Sequence, residues 1–542
     1  MSKSIIKTDV IIIGGGIAGI AAAIDLLDAN KSVIIFDRDK EENFGGLAKE
    51  SFGGMFYINS PQQKRSGIKD SIALAKLDWH SFAEFSPDEY WGRKWADLYL
   101  ESTEKVYQWV TSKAVKYFPV VHWVERGLFQ PGNSVPRFHM VWGTGHGLMK
   151  ALINHLKNHR NNKNLQLFFE HKVEHLIEEN NSIIGVSGID EKNNSSFEAF
   201  ADATIIATGG INGNMQKVRK YWHTDWNKPP QNILNGSHHF SDGLIHDEAE
   251  KHGAAISNLQ NMWNYAAGIK HPIPRRENHG LSLVPPKSAL WLDSTGKRFG
   301  PMPLMTAYDT RYLVSTICNS DDQYSWQVLN HKIALKELAV SGSEFNDAIK
   351  NKKIFQFLLT ILFGNKKFIK ALEQHSKDYI IANSIEELVE KMNALSGDKK
   401  VKIENLKSSI ENYDNNIRRG KRFYNDEQLR RIAHVRQYRG DKVRTCNFQP
   451  IDDKKAYPLV AIREFILSRK SLGGIQTNLH SQVLKQNNNN NESLVIKGLY
   501  SIGEAAGFGG GGSHGKRALE GTFLATCIFT AQKAVQHIIG NK

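Results

Sequence analysis

The sequence predicts an α/β fold in which two distant segments contribute strands to one sheet. Near the N-terminus, TDVIIIGGGIAGIAAAIDLL changes from an apolar strand into an Ala/Ile/Leu-rich helix through a glycine turn. Near the C-terminus, GLYSIGEAAGFGGGGSHGKRALEGTFLATCIF has the same order of strand, glycine turn and helix. Glycine turns at the ends of parallel strands form ligand sites. We therefore expect both chain ends to form opposite sides of one site for a long ligand.

The first glycine turn has the spacing of a dinucleotide-binding motif. Its GxGxxG residues are Gly14, Gly16 and Gly19, which follow an apolar strand and open a helix. In such a motif the first glycine permits the tight turn, the second lets the backbone approach a pyrophosphate, and the third allows close helix–strand packing. The helix N-terminus offers N–H groups and a positive dipole end to the phosphates. The pattern predicts a Rossmann-type nucleotide site, with FAD as the expected ligand.

An acidic residue follows the second predicted strand at the expected distance. SVIIFD ends in Asp37, twenty-one positions after Gly16. A carboxylate there accepts the hydroxyls of the adenosine ribose. Arg38 comes next and leaves an alternative open, a ligand for the 2′-phosphate of an NADP-type cofactor. The acidic residue favours the first interpretation.

Length and composition are typical of a large globular enzyme. The chain has 542 residues, of which 40% are hydrophobic and 10% aromatic, so two domains are expected. Three cysteines form neither a metal-binding spacing nor a disulfide framework, which favours a cytoplasmic location. We expect no metal, no removable leader and no membrane span, because no apolar run reaches about 20 residues.

The net charge of +14 is spread along the chain and does not form one basic block. This distribution argues against a nucleic-acid partner. It would suit anionic substrates or a peripheral contact with a membrane surface.

The character of the chain changes from about residue 260. Prolines cluster in HPIPRRENHG and VPPKSALWLDSTGKRFGPMP, and residues 330–430 are strongly charged and helical. A pattern typical of β-strands returns at YPLVAIREFILSRKSLGGIQTNL. We therefore predict an FAD-binding domain from residues 1–260 and 450–542. An α+β capping domain, residues 261–449, is inserted between its two parts.

Five motifs in order resemble the flavoprotein family of fumarate reductases and 3-ketosteroid Δ1-dehydrogenases, and most of all its bacterial FAD-binding dehydrogenases. They are IIIGGGIAGIAAA, IIATGG, LDSTGKRF, SLGGIQTN and GLYSIGEAAGFGGGGSHGKRALEGTF. The resemblance implies a Rossmann-type FAD domain built from both chain ends, a capping domain inserted between them, and an active site at their junction. Because the histidine that bonds FAD covalently in some relatives is lacking, it also implies non-covalent FAD.

The resemblance assigns further cofactor contacts. Glu504 would hold the ribityl hydroxyls, and the helix starting near Gly521 would present N–H groups to the pyrimidine edge of the flavin. Paired glycines after Asp37 suggest backbone close to the cofactor, with a flexible loop as the alternative. The expected FAD-binding residues are Gly14, Gly16, Ile17, Ala18, Gly19, Asp37, Arg38, Gly45, Gly46, Leu47, Gly53, Gly54, Val173, Ala207, Thr208, Gly209, Gly503, Glu504, Gly521, Thr522 and Phe523.

Departures from the family pattern bear on the reaction. Fumarate reductases place an arginine three residues before the helix-opening glycine of the last motif, where this chain has Ala518. Arg311 follows the GKRF hairpin later than their proton-donating arginine does. Both departures weaken a fumarate reductase interpretation.

The candidate catalytic residues are Tyr308, Arg311, His514 and Arg517. Tyr308 resembles the tyrosines with which ketosteroid dehydrogenases remove a proton, although a structural tyrosine is an alternative. We expect an FAD-dependent dehydrogenase acting on a CH–CH bond next to a carbonyl, on a steroid-like or other hydrophobic small molecule. A fumarate reductase-like enoate reductase and a non-catalytic flavin-binding or electron-relay protein are alternatives. The electron acceptor stays open.

Overall fold

The computed structural model describes residues 4–540, which form two compact units. The first unit contains the chain up to Tyr221, then Ser237–Trp263, and the chain from Lys470 onward. The second contains Trp222–Gly236 and Asn264–Arg469. The second unit begins its long segment after residue 263 and ends before residue 470, whereas the predicted capping domain begins after residue 260 and ends before residue 450.

Twenty strands lie in the described range. In chain order they are β1 (Ser4–Ile13), β2 (Val33–Phe36), β3 (Gly54–Phe56), β4 (Phe138–Met140), β5 (Leu165–Phe168), β6 (His171–Glu179), β7 (Ser182–Asp190), β8 (Ser195–Ile206), β9 (Ile233–Asn235), β10 (Ile256–Ser257), β11 (Met262–Lys270), β12 (Gly280–Val284), β13 (Leu290–Leu292), β14 (Tyr324–Asn330), β15 (Ala339–Val340), β16 (Tyr379–Ala382), β17 (Leu459–Ser471), β18 (Gly474–Ile475), β19 (Gln482–Leu484) and β20 (Val495–Ser501).

Seventeen α-helices lie in the same range. They are α1 (Ile17–Asp28), α2 (Pro61–Arg65), α3 (Ile72–Ala83), α4 (Tyr90–Ser112), α5 (Thr144–Lys157), α6 (Met215–Lys220), α7 (Leu244–Lys251), α8 (Thr310–Cys318), α9 (His331–Glu337), α10 (Asp347–Lys350), α11 (Ile354–Phe363), α12 (Lys366–His375), α13 (Ile385–Ser396), α14 (Ile403–Arg419), α15 (Glu427–Val435), α16 (Arg439–Lys442) and α17 (Thr522–Ile538). None of these helices combines the length and the apolar character needed to cross a bilayer.

A parallel sheet joins both ends of the chain in the first unit. β1 pairs in parallel with β2 and with β8, and β8 pairs in parallel with β20. The carboxyl ends of these four strands therefore share one edge of the sheet. This arrangement, together with the antiparallel strands β6 and β7 beside it, confirms the predicted α/β fold built from both chain ends.

Apolar strands and an alanine-rich helix explain how this sheet is buried. The last four residues of β1 and all of β2 are buried, as a parallel sheet covered on both faces requires. In α1, Ala21, Ala22 and Ala23 are fully buried, and α1 packs against α17. The C-terminal helix is thereby part of the same core as the N-terminal helix.

The second unit is built on a mainly antiparallel sheet. Its strand order is β13, β14, β17, β11, β12 and β15, with β9 and β16 also paired to β17. Helices α8 to α16 belong to this unit, so the inserted region is α+β. Its charged helices are those that the composition of residues 330–430 predicts.

Candidate cofactor and active site

Packing requires two glycines of the first turn, while the third faces open space. Gly14 has a φ of 104°, and a Cβ there would lie 2.6 Å from the Ala207 carbonyl oxygen. A Cβ on Gly19 would lie 2.1 Å from the Gly14 oxygen. A Cβ on Gly16 would have no neighbouring atom within 4 Å. This space fits a phosphate, because the first-turn N–H groups of α1, which starts at Ile17 and Ala18, have no acceptor within the helix.

Asp37 supports the glycine turn from the end of β2. Its carboxylate accepts hydrogen bonds from the backbone N–H groups of Gly15 and Asp39, both at 2.8 Å. A Cβ on Gly15 would lie 2.5 Å from an Asp37 carboxylate oxygen and 2.3 Å from the Phe44 ring. Burial raises the pKa of Asp37. Sequence reasoning missed Gly15, although three consecutive glycines were the signal for it.

Arg38 is held by acidic side chains. Its guanidinium pairs with Glu191 at 2.9 Å and with Asp242 at 3.2 Å, and it lies 4.5 Å from the centre of the Phe240 ring. A 2′-phosphate placed there would approach two carboxylates. The geometry therefore gives no support to the NADP-type alternative, and Arg38 as an FAD contact stays a prediction.

The first pair of glycines after Asp37 lies beside the turn. The Gly45 N–H donates to the Gly15 oxygen at 3.0 Å. A Cβ on Gly46 would lie 3.6 Å from the Cα of Gly16. Leu47 follows in a short 3₁₀ helix, Gly46–Glu50.

The second pair of glycines has a packing role. A Cβ on Gly53 would lie 2.9 Å from the Gly145 nitrogen, and one on Gly54 would lie 2.0 Å from the Phe138 ring. Both glycines let β3 and its flanking backbone approach β4 and the start of α5. Val173 is likewise a core residue, buried in β6 among apolar side chains of the first sheet. Their contact with FAD stays a prediction.

The end of β8 lies directly against the first glycine turn. The Ala207 N–H donates to the Ile13 oxygen at 2.9 Å, and a Cβ on Gly14 would lie 3.2 Å from the Thr208 Cα. Gly209 has a φ of 78°, and a Cβ there would lie 2.4 Å from the Ser241 hydroxyl oxygen. The structure thus places all three residues at the carboxyl edge of the sheet.

The C-terminal motif meets the N-terminal motif. A Cβ on Gly503 would lie 2.9 Å from the Ala18 Cβ on α1. Glu504 accepts a hydrogen bond from the Ser471 N–H at 2.9 Å, and one of its carboxylate oxygens would lie 2.6 Å from a Cβ on Gly210. Segments almost 500 residues apart in sequence therefore form one glycine-lined region. These residues fit the requirements of an FAD site.

The start of α17 is buried and aromatic. Gly521, with a φ of 98°, caps the helix and accepts a hydrogen bond from the Phe56 N–H at 2.9 Å. Thr522 and Phe523 form its first turn, and both are buried. The Lys470 ammonium lies 3.9 Å from the centre of the Phe523 ring. A positive dipole end and a cation thus lie close together here.

His514 is fully buried beside this helix start. Its Nε2 lies 2.7 Å from the Thr522 hydroxyl oxygen, and its ring stacks on Trp79 at 5.3 Å. The Thr522 hydroxyl donates to the Leu519 oxygen at 2.6 Å, so Nε2–H of the imidazole donates to Thr522. Burial, aided by the Lys470 charge, lowers the pKa of His514 to about 3. The imidazole is therefore neutral near pH 7.

The other three candidate catalytic residues are each engaged within one unit. In the first unit, Arg517 forms an ion pair with Glu84 at the end of α3. In the second unit, Arg311 on α8 pairs with Asp225 at 2.9 Å, and its guanidinium lies 4.9 Å from the centre of the Trp226 ring. These contacts hold both guanidinium groups in place.

Tyr308 has a different environment in the second unit. Its hydroxyl lies 3.1 Å from Nδ1 of His434 on α15. The Arg431 guanidinium lies 5.3 Å from the centre of the Tyr308 ring. The sequence reasoning missed both partners, whose only signal is the RRIAH segment of a charged amphipathic helix. A tyrosine with an imidazole nitrogen within hydrogen-bond distance and a nearby cation can exchange a proton.

Comparison with known proteins supports this cofactor site. The family model of the FAD binding domain matches residues 9–524. The chain belongs to this FAD-binding flavoprotein family. It is 39% identical to a KsdD-like steroid dehydrogenase of Mycobacterium tuberculosis, over 98% of this chain and 95% of that protein. FAD is therefore the cofactor, and the protein is an FAD-dependent oxidoreductase, as the motifs predict.

The solved structures that share this fold include the following two. A 3-ketosteroid Δ1-dehydrogenase from Sterolibacterium denitrificans is similar with a TM-score of 0.70 at 16% identity, over 99% of this chain and 100% of that one. The open form of a flavocytochrome c3 fumarate reductase is similar with a TM-score of 0.68 at 17% identity. The match covers 99% of this chain and 78% of that one. Both likenesses confirm the predicted resemblance at the level of fold.

Proposed function

We propose that the protein is an FAD-dependent dehydrogenase that introduces a double bond next to the ketone of a steroid-like substrate. The observation that carries this proposal is the 39% identity, over nearly the whole chain, to a KsdD-like steroid dehydrogenase. The chain covers 95% of that relative, so the likeness extends beyond the cofactor motifs to the second unit.

Tyr308 is the proposed base. In the tautomer whose Nδ1 carries no proton, His434 would accept the Tyr308 hydroxyl proton and leave an oxygen lone pair of Tyr308 for a substrate proton. The Arg431 cation beside the ring stabilises negative charge on the phenol oxygen. Tyr308 would thus remove a proton from the carbon next to the carbonyl. FAD, when bound, supplies the acceptor for the hydride from the neighbouring carbon.

The first unit is proposed to hold FAD without a covalent bond. The open space beside Gly16 and the N-terminus of α1 would receive the pyrophosphate, and Asp37 and Glu504 would accept ribose and ribityl hydroxyls. The neutral His514 acts on Thr522, so we assign it a positioning role at the start of α17 rather than proton transfer. We place the enzyme in the cytoplasm and leave its electron acceptor unassigned.

The ion pairs of the two candidate arginines do not favour the dicarboxylate alternative. Arg517 pairs with Glu84, Arg311 pairs with Asp225, and Ala518 occupies the position of a carboxylate-binding arginine. A dicarboxylate would have to displace these carboxylates from the guanidinium groups. The proposal therefore selects the ketosteroid-type reaction.

The test is turnover of a 3-ketosteroid by the purified FAD-loaded enzyme with an artificial electron acceptor. We expect the wild type to reduce the dye and to form the unsaturated product. Tyr308→Phe should lower kcat by at least about 100-fold, because the base is lost, while FAD content stays unchanged. Tyr379→Phe, at a tyrosine of similar burial on β16 in the same unit, is the matched control and should keep its rate.

Three results would each contradict part of the proposal. Oxidation of a reduced dye by fumarate or a related enoate, with no ketosteroid turnover, would favour the reductase alternative. An FAD-loaded protein that turns over neither class would favour the flavin-binding or electron-relay alternative. If the protein is precipitated with acid and the yellow flavin colour stays in the protein pellet, the non-covalent assignment would be overturned.

A further inference from the structure

Helix α11 has an unusual distribution of apolar side chains in the second unit. Its sequence is IFQFLLTILF, ten residues without a charge. Fifteen large hydrophobic side chains are exposed in the described chain, and six of them lie on this one helix. They are Ile354, Phe355, Leu358, Leu359, Leu362 and Phe363, with exposed fractions from 47% to 81%.

The exposed residues form one continuous stripe. They occur as pairs at four-residue intervals, 354–355, 358–359 and 362–363, which places them on one face of a helix. Phe357 and Ile361, four residues apart, are only partly exposed and lie on the opposite face. The helix therefore directs its most apolar side outward, where a surface helix normally carries charged residues.

Lysines lie at both ends of this stripe. Residues 350–370 contain six lysines and no acidic residue. Lys352 and Lys353 immediately precede the helix, and Lys366, Lys367 and Lys370 follow it, all exposed. Lys367 forms an ion pair at 2.5 Å with Asp347, which lies before this segment in the sequence. The apolar stripe is thus framed by positive charge.

We propose that the apolar stripe of α11 and its flanking lysines form a docking surface for an anionic lipid bilayer. Ten residues are too short to cross a bilayer, since spanning takes about 20, so the helix would lie in the interface. Its aromatic and aliphatic side chains would enter the acyl boundary, and the lysines would contact anionic headgroups. The charge pattern favours this occupant over a second copy of the chain, whose own stripe would carry the same lysines.

The test is flotation of the FAD-loaded enzyme with vesicles of phosphatidylcholine, with or without phosphatidylglycerol. We expect binding to the anionic vesicles that weakens in high salt. The triple variant Phe355→Gln, Leu362→Gln, Phe363→Gln should lower the partition coefficient at least about tenfold. The matched control is Leu77→Gln, Phe129→Gln, Phe423→Gln, three side chains of similar exposure elsewhere in the sequence, and it should bind like the wild type.

A second variant tests the charges separately. Lys352→Gln, Lys353→Gln, Lys366→Gln, Lys370→Gln should lower binding to anionic vesicles, whereas the same change at exposed Lys64, Lys69, Lys192 and Lys228 should lower it much less. Equal binding to neutral and anionic vesicles would overturn the proposal. A dimer that the triple apolar variant converts to monomer, with no vesicle binding, would also overturn it and assign the stripe to self-association. None of these readouts depends on the substrate.

Discussion

At the scale of single residues, the glycines of the first turn differ in what they are needed for. Gly19 lacks a side chain because the Gly14 carbonyl oxygen occupies that position. Gly16 has an ordinary φ of −75° and open space where a side chain would be. One glycine is therefore required by the fold, and the other is required only if a ligand approaches.

We expect Gly16→Ala to affect mainly FAD binding and Gly19→Ala to affect mainly stability. Gly16→Ala should change the free energy of unfolding of the apoprotein by less than about 1 kcal/mol but weaken FAD binding at least about tenfold. Gly19→Ala should destabilise the apoprotein by about 1–3 kcal/mol through overpacking. Urea unfolding without FAD and flavin titration measure the two quantities. A Gly16→Ala variant that binds FAD like the wild type would contradict the assigned phosphate position.

His514 should contribute a pH dependence to stability. Its pKa of about 3 in the folded protein lies below the unfolded value of about 6.5. Between these values the unfolded chain binds more protons, so the stabilisation is present above pH 6.5 and is lost as pH falls. Between pH 8 and pH 5 this contribution should fall by about 2 kcal/mol.

The measurement is urea unfolding of the wild type and His514→Gln at both pH values. The glutamine keeps a donor for Thr522 but does not titrate, so the difference between the two proteins isolates the imidazole. We expect the stability of the variant to decrease less on acidification. Equal pH dependence in both proteins would show that folding does not lower the pKa of His514.

At the scale of elements, a buried arginine joins α3 to the segments before α3 and β4. Arg137 donates to Asp70 through two nitrogens, each at 2.8 Å, and to Asp78 on α3 at 2.5 Å. All three side chains are nearly inaccessible to solvent. Removing the cation would leave two buried carboxylates without their partner.

Arg137→Met should therefore destabilise the protein by about 3–5 kcal/mol. The control is Arg430→Met, which removes an exposed ion pair with Glu427 on α15 and should cost less than about 1 kcal/mol. Chemical unfolding of the two variants gives the comparison. A loss of similar size in both would mean that burial does not govern the energy of the Arg137 contacts.

At the scale of the whole molecule, the cofactor region depends on both chain ends. β20 pairs with β8, and α17 packs against α1, so the C-terminal segment completes the sheet and core that the first residues begin. Neither end has the neighbours needed to form this region alone. FAD binding should consequently stabilise both ends together.

Hydrogen exchange with and without FAD measures this coupling. At FAD concentrations about 100 times the dissociation constant, linkage gives about 2.7 kcal/mol of stabilisation. We expect slower exchange at residues 14–20 and also at 503–523, with α14 in the second unit as an unaffected control. Protection confined to the N-terminal segment would contradict a site shared by both chain ends.

The sequence alone determined the fold class, the cofactor and the family. Glycine spacing, the acid after β2 and the repeated strand–turn–helix pattern are local features, and the backbone geometry that they require is set by neighbouring residues. Gly14, Gly16, Gly19 and Glu504 could therefore be singled out before any contact was known. Their direct contact with FAD remains a prediction.

Only the tertiary structure decided what the charged and aromatic candidates do. Arg517 pairs with Glu84 and Tyr308 with His434 across more than 100 residues, and His514 is buried against Trp79. Such partners come from elements whose register and packing leave no periodic trace in the sequence. The exposure of the apolar stripe of α11 could not be predicted from the sequence either, because an apolar run has the same sequence pattern whether it faces a core or solvent. Burial, which depends on all the neighbouring elements, separates the two.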